Sequence, residues 1–73
     1  MYGADWCRDC RRTEALLNDL GVDWTKVDVE ASADAAAQAQ AISGRMNIPV
    51  VVFPDGSHLV EPSDDAVRAK LGV

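Results

Sequence analysis

Several features that mark other classes of protein are scarce or missing in this 73-residue sequence. No apolar run approaches the roughly 18 residues that a membrane span requires, and no basic-then-apolar leader typical of secretion opens it. Seven lysines and arginines stand against 12 acidic residues, and the net charge of −5 argues against a nucleic-acid surface. Two cysteines are too few for a disulfide-dense secreted scaffold. We therefore expect a small acidic cytoplasmic protein that binds neither membranes nor nucleic acid.

What is present is the composition of a folded domain near the lower size limit. Hydrophobic residues make up 48% of the chain and charged residues 26%, which is ordinary for a globular domain and wrong for a disordered chain. A chain of this length buries only about 60% of its unfolded surface, so its core must be compact. We expect residues 1–73 to form a single domain and the protein to be a monomer.

The spacing of apolar residues predicts alternating strands and helices. The predicted segments, in chain order, are a strand ending at Met1–Gly3, a helix at Arg8–Leu20, a strand at Asp23–Glu30, an alanine-rich helix between Ser32 and Gly44, a strand buried on both faces within Asn47–Phe53, a strand at His58–Val60 and a last helix opening at Ser63. Serine is a favoured helix N-cap, and glycine commonly ends a helix. The segment Phe53–Ser57 has strong turn chemistry and should close a hairpin.

This order, β-α-β-α-β-β-α, predicts the thioredoxin fold of the α/β class in its minimal form. Its four-stranded mixed sheet would be covered by three helices on its two faces. The first strand should be central, yet only Met1 and Tyr2 precede Gly3. We therefore expect the first strand to be truncated and the natural chain to begin several residues earlier.

Both cysteines lie in one short motif, Cys7-Arg8-Asp9-Cys10. Two thiols at this spacing serve as metal ligands, as a structural disulfide or as a redox couple. Tetrahedral zinc takes four ligands, and the one further strong candidate, His58, is far along the chain. A disulfide across so small a loop stabilises little. The motif beside a β-α-β pattern favours the redox couple, with no metal.

The position of the motif predicts unequal roles for the two thiols. Cys7, between the first strand and the first helix, should meet unpaired backbone N–H groups and the positive end of the helix dipole, which stabilise a thiolate. Cys10 shares a helix stripe with Thr13 and Leu17 and should point into the protein. We expect an exposed nucleophile and a shielded resolving thiol, as disulfide exchange requires.

Charged neighbours should tune this couple. Arg8 and Arg11 favour the Cys7 thiolate, whereas Asp5 and Asp9 oppose it. The mixture argues against an extreme oxidant. We expect a moderately reducing potential on the order of −200 to −270 mV.

Several segments together resemble the glutaredoxin family, and most closely its actinobacterial branch, the mycoredoxins. The resemblance covers nearly the whole chain and is carried by Tyr2, by Trp6–Cys10 (WCRDC), by Asn47–Gly56 (NIPVVVFPDG) and by Leu59–Ser63 (LVEPS). It implies a thiol–disulfide oxidoreductase that removes a low-molecular-weight thiol from protein mixed disulfides. Mycothiol, rather than glutathione, would be the co-substrate, disulfide-bearing proteins would be the clients, and no cofactor would be tightly bound.

The resemblance also implies roles for individual residues. Cys7 would be the nucleophile and Cys10 the resolving thiol. Further contacts to substrate or thiol would come from Trp6 and Arg8 beside the nucleophile, the backbone of Ile48, a cis Pro49 facing Cys7, and Ser63 and Asp64 at the start of the last helix. From the sequence alone, Trp6 either shapes the substrate groove or plugs the start of the first helix.

Three departures from the family pattern bear on the thiol and on the rate. Ala4 occupies the position where glutathione-binding glutaredoxins resemble one another in a lysine. Glu61-Pro62 replaces their Gly-Gly pair. Both departures suit a neutral sugar-bearing thiol better than anionic glutathione. The Arg8-Asp9 dipeptide differs from that of the mycoredoxins, so the rate and potential should differ as well.

Two other functions stay open at this point. One is a glutaredoxin-like electron donor to ribonucleotide reductase, recharged by thioredoxin reductase. Such donors resemble one another in a Trp-Ser-Gly-Phe-type segment, where this chain has Glu61–Asp64. The other is a non-catalytic iron–sulfur carrier, in which Cys7 and a thiol cofactor would hold a cluster between two subunits.

Overall fold

The computed structural model describes residues 1–73, and its elements follow the predicted order. They are β1 (Tyr2–Gly3), α1 (Arg8–Asp19), β2 (Val27–Asp28), α2 (Ala33–Ser43), β3 (Val50–Val52), β4 (His58–Val60) and α3 (Asp64–Leu71). None of these helices has the length and apolar character needed to cross a membrane. The predicted α/β fold with three helices and a four-stranded mixed sheet is confirmed.

The sheet order, β2-β1-β3-β4, places the short first strand in its interior. Tyr2 pairs with Val27 of the parallel neighbour and with Val50 of the antiparallel one. β3 and β4 form an antiparallel hairpin, in which Val50 faces Val60. Because β1 is central, the loop that follows it delivers the start of α1 to the middle of the sheet.

Two strands are shorter or less buried than the sequence predicts. The segment Asp23–Glu30 forms strand only at Val27–Asp28, because its partner β1 is itself two residues long and offers no further ladder. In β3, Val50 and Val51 are buried, but Val52 is exposed. The expectation of a strand buried on both faces is therefore wrong at its last residue, which faces solvent near the hairpin.

The helix boundaries follow from the predicted caps. The Oγ atoms of Ser32 and Ser63 accept hydrogen bonds from the backbone N–H groups of Ala35 and Ala66, at 3.3 and 3.1 Å. These bonds satisfy donors that the first turn of a helix leaves unpaired. Gly44 ends α2 with a left-handed backbone, at φ 73°.

Helix α1 carries the stripe that the sequence predicts. Its buried residues are Cys10, Thr13, Leu16 and Leu17. Leu16 and Leu17 pack against Val67 of α3, and Met1, Val51 and Phe53 form a second apolar cluster. A third cluster consists of Ala4, Cys7 and Cys10, so the two thiols are part of the core that joins α1 to the sheet.

Candidate active site

Cys7 is the N-cap residue of α1, with extended backbone angles of φ −81° and ψ 114°. Its Sγ accepts a hydrogen bond from the backbone N–H of Cys10 at 3.2 Å. The sulfur therefore uses one of the N–H groups that a helix start leaves unpaired, at the positive end of the helix dipole. This is the place at the helix start that the sequence predicts for Cys7. The two cysteines are free thiols.

The two thiols differ in environment, although less in exposure than the sequence predicts. Cys10 is fully buried, at 0% exposure. Cys7 is only 7% exposed, so the expectation of an exposed nucleophile is wrong. Ala4 and Cys10 pack against Cys7, and its Sγ lies 4.0 Å from the carbonyl oxygen of Ile48. A disulfide can therefore reach Cys7 only along the groove that opens over this sulfur.

The pKa of the Cys10 thiol is raised to about 12, chiefly by burial, with smaller contributions from the adjacent Cys7 sulfur and the Glu14 carboxylate. Removing a thiol from water disfavours its charged form, and a neighbouring negative charge does the same. Cys10 therefore keeps its proton throughout the neutral and mildly alkaline range. In the reduced protein, Cys10 is therefore unsuited to act as the nucleophile in this pH range.

Selective alkylation should reveal the difference in reactivity between Cys7 and Cys10. When the reduced native protein is treated with iodoacetamide between pH 7 and pH 9, we expect labelling of Cys7 and not of Cys10, because Cys10 is both buried and protonated in this range. Peptide mapping by mass spectrometry would measure the modification at each position. The same treatment in urea should label both thiols. Equal labelling of the two cysteines in the native protein would contradict the assigned environments.

The loop before β3 forms one wall of the site. The Ile48–Pro49 peptide bond is cis, as predicted, and Pro49 is fully buried. The backbone N–H of Glu61 donates to the Pro49 carbonyl oxygen at 2.9 Å. This bond extends the β3–β4 pairing by one step and fixes the loop, and with it the Ile48 carbonyl, beside Cys7.

Trp6 frames the other side of the opening. It is 68% exposed, and its Nε1 donates to the Glu30 carboxylate at 2.9 Å. Such exposure excludes the interpretation of Trp6 as a plug for the start of α1. Met46, which is 74% exposed, contributes a second apolar side chain to the same rim.

The opening over Cys7 is one of three neighbouring depressions in the surface. The Cys7 groove, of about 500 Å³, is lined by Trp6, Cys7, Arg8, Asp9, Met46, Asn47, Ile48 and Glu61. The Trp6 groove, of about 190 Å³, lies between Trp6, the loop Arg45–Ile48 and α2. The α3 recess, of about 390 Å³, is lined by Arg12, Glu61, Ser63, Asp64 and Asp65.

The structure brings some of the predicted site residues together and leaves others aside. Trp6, Arg8 and Ile48 line the groove over Cys7. Ser63 and Asp64 line the neighbouring α3 recess instead. The Asp64 carboxylate already lies 3.7 Å from the Arg12 guanidinium. The contacts to substrate or thiol that the resemblance implies for Ser63 and Asp64 therefore stay predictions, and Asp64 is already paired with Arg12.

Sequence reasoning did not predict that Met46, Asn47 and Glu61 would line the Cys7 groove. Met46 follows α2 outside any motif, and Asn47 opens the Asn47–Gly56 segment, in which the resemblance implies roles only for Ile48 and Pro49. Glu61 lies in the Leu59–Ser63 segment and departs, with Pro62, from a Gly-Gly pattern, but the resemblance implies no contact for it. Its position beside the site depends on the pairing of β4 with β3, which joins residues far apart in the sequence.

Comparison with known proteins agrees with this geometry. A family model described as glutaredoxin matches residues 1–59. A protein of Mycobacterium tuberculosis named as a glutaredoxin is 36% identical over 72 residues, which cover 97% of this chain and 86% of that protein. Mycoredoxin 1 of Corynebacterium glutamicum is 32% identical over 73 residues, covering 97% and 89%. The crystal structure of an Archaeoglobus fulgidus glutaredoxin superposes with a TM-score of 0.86 at 25% identity, covering 96% of this chain and 80% of that one.

Proposed function

Because this chain belongs to the glutaredoxin family, and is therefore a thiol–disulfide oxidoreductase, we propose that it removes a low-molecular-weight thiol, preferably mycothiol, from protein mixed disulfides. Cys7 is the proposed nucleophile and Cys10 the proposed resolving thiol. The observation that carries this proposal is the Cys7 sulfur at the N-cap of α1, 3.2 Å from the Cys10 N–H, at the floor of an open groove.

In the first step, the Cys7 thiolate attacks the sulfur of the small thiol in the mixed disulfide. A new S–S bond forms between Cys7 and the small thiol, while the bond to the client cysteine breaks. The client leaves as a thiolate and takes a proton from water. The client cysteine is thereby reduced, and Cys7 is left in a mixed disulfide with the small thiol.

Two routes resolve the mixed disulfide on Cys7: the first returns the reduced enzyme directly, and the second leaves a Cys7–Cys10 disulfide that two further molecules of small thiol must reduce. A second molecule of the small thiol can attack the mixed disulfide on Cys7 and leave with its partner as a symmetric disulfide. Alternatively, Cys10 loses its proton and attacks Cys7, which releases the small thiol and forms the Cys7–Cys10 disulfide. The second route is slow at rest because burial raises the pKa of Cys10 to about 12. It becomes easier once Cys7 is in a disulfide, since the adjacent sulfur no longer carries a negative charge.

Two observations support mycothiol over glutathione. A relative that covers 97% of the chain is named mycoredoxin 1. Ala4, at the position where glutathione-binding glutaredoxins resemble one another in a lysine, is fully buried against Cys7 and Cys10. The position therefore offers no cation to the carboxylates of glutathione.

The test is to offer the reduced protein a client peptide carrying either mycothiol or glutathione as a mixed disulfide, and to follow release of the reduced peptide. We expect the mycothiol form to turn over at least several times faster. In Cys10→Ser, partial activity should remain, because Cys7 alone can remove the small thiol while free thiol completes the cycle.

The wild-type protein and Cys10→Ser together test the two parts of the proposal, the choice of thiol and the roles of the cysteines. Complete loss of activity in Cys10→Ser, with normal folding by circular dichroism, would replace it with a dithiol mechanism. Equal turnover of both mixed disulfides by the wild-type protein would remove the preference for mycothiol. Neither outcome would alter the assignment of the chain to the family.

A further inference from the structure

We propose that the carboxylate of Glu61 determines which small thiols the site accepts, by repelling thiols whose polar end is negatively charged. This inference rests on the proposed function, and it names the residue that determines which thiols are accepted and the charge that it selects against. Thiols with an uncharged or cationic polar end, including hydroxyl-rich ones, are the class that the site admits.

Glu61 is attached directly to the loop that faces the nucleophile. Its backbone N–H donates to the Pro49 carbonyl at 2.9 Å. Its Oε1 accepts a hydrogen bond from Nδ2 of Asn47 at 2.8 Å. Asn47 and Pro49 flank Ile48, whose carbonyl oxygen lies 4.0 Å from the Cys7 sulfur. Two bonds from one residue therefore hold a carboxylate at the rim of the Cys7 groove.

The same side chain also borders the α3 recess, so it stands where the two depressions meet. A small thiol bound through sulfur at Cys7 has to extend its polar part along one of the surfaces around this opening. A thiol that extends toward the N-terminus of α3 passes Glu61. The charge of this residue therefore acts on any ligand that uses both depressions.

The backbone of Glu61 has a conformation that a glutamate side chain does not favour. Its φ is 47°, and it is the only residue other than glycine with a positive φ in the chain. Glycine and asparagine adopt this region with least strain, whereas other residues are uncommon there. The bond to Pro49 uses only the backbone, so any residue with an N–H would supply it. Backbone strain of this kind is found most often at functional sites, and Glu61 lies at the rim of the Cys7 groove.

The Glu61 carboxylate forms no salt bridge. Arg12, the cation of the α3 recess, lies 3.5 Å from Asp9 and 3.7 Å from Asp64 and donates to the Pro62 carbonyl. Arg8 is the one cation that lines the Cys7 groove. Together the two linings hold two cations and four carboxylates, so the combined surface is net negative and disfavours anionic ligands.

The experiment uses three small disulfides that differ in charge: cystamine (cationic), bis(2-hydroxyethyl) disulfide (neutral) and 3,3′-dithiodipropionate (anionic). Each oxidises the reduced protein to the Cys7–Cys10 disulfide and is itself reduced to two small thiols. Quenched-flow mass spectrometry gives the second-order rate constant for each reagent. Relative to the same reagents reacting with dithiothreitol, we expect the wild-type protein to prefer the cation over the neutral reagent and the neutral reagent over the anion.

Glu61→Gln keeps the size of the side chain and removes its charge. We expect the ratio of the anionic to the neutral rate constant to rise about five-fold at low ionic strength. This is the effect on a rate constant of the Coulomb repulsion between two unit charges about 4 Å apart in water. The gain should shrink as salt is added. Glu61→Lys should raise the ratio further. Asp23→Asn, which removes the same charge from an exposed position outside both depressions, should leave the ratio unchanged.

The outcomes separate the two proposals. If Cys7 in the wild-type protein reacts no faster than dithiothreitol with any of the three reagents, the proposed function fails. If Cys7 reacts readily but Glu61→Gln and Glu61→Lys leave the charge ratio unaltered, the role of Glu61 is wrong and the proposed function stands. A rise of equal size in Asp23→Asn would also overturn the role of Glu61, since the effect would then come from net charge alone.

Discussion

Replacing Cys7 with serine is expected to lower the rate of removal of the small thiol from a mixed disulfide by about three orders of magnitude or more. A serine oxygen cannot form the disulfide intermediate, and the remaining thiol, Cys10, is fully buried, which raises its pKa. Single-turnover release of reduced client peptide, followed by mass spectrometry, measures this loss.

Cys10→Ser is the matched control, because it removes the other sulfur three residues away on the same helix. It should retain a substantial part of the activity when free small thiol is supplied. Unfolding curves for both variants establish that each is folded. Activity retained by Cys7→Ser and lost by Cys10→Ser would exchange the proposed roles of the two thiols.

Gly3→Ala is expected to destabilise the reduced protein by about 1–3 kcal/mol, as overpacking of a core commonly does. A Cβ atom on Gly3 would lie 3.1 Å from Sγ and 3.3 Å from Cβ of Cys10. Cys10 is fully buried and cannot move outward. A glycine-to-alanine change without such a contact would stabilise slightly through the unfolded chain. Urea unfolding in the presence of reductant gives the free energy of unfolding.

A double-mutant cycle with Cys10→Ala tests the stated cause. Removing Sγ eliminates the closest contact, so Gly3→Ala should cost less in the Cys10→Ala background than in the wild-type protein. The same cost in both backgrounds would show that the destabilisation arises elsewhere. The contact also explains why a glycine sits in the central strand: the sheet passes this close to the thiol-bearing helix.

Local chemistry made much of the fold predictable from the sequence. Ser32 and Ser63 cap the helices that follow them, and Gly44 ends α2, because capping depends on residues within one turn of each other. The same short range applies to Cys7 and the Cys10 N–H, which meet at the start of α1. The length of β2 was not predictable in this way, because it depends on a partner strand two residues long.

The sequence by itself determined the order of the elements, the helix caps and the presence of two cysteines at a helix start, since each follows from residue types at short spacing. The tertiary structure alone decided that Cys7 is almost as buried as Cys10, that Trp6 is open to solvent, and that Glu61 reaches the site. These three facts depend on contacts between segments up to about 50 residues apart, which cross the sheet and leave no local signal in the chain.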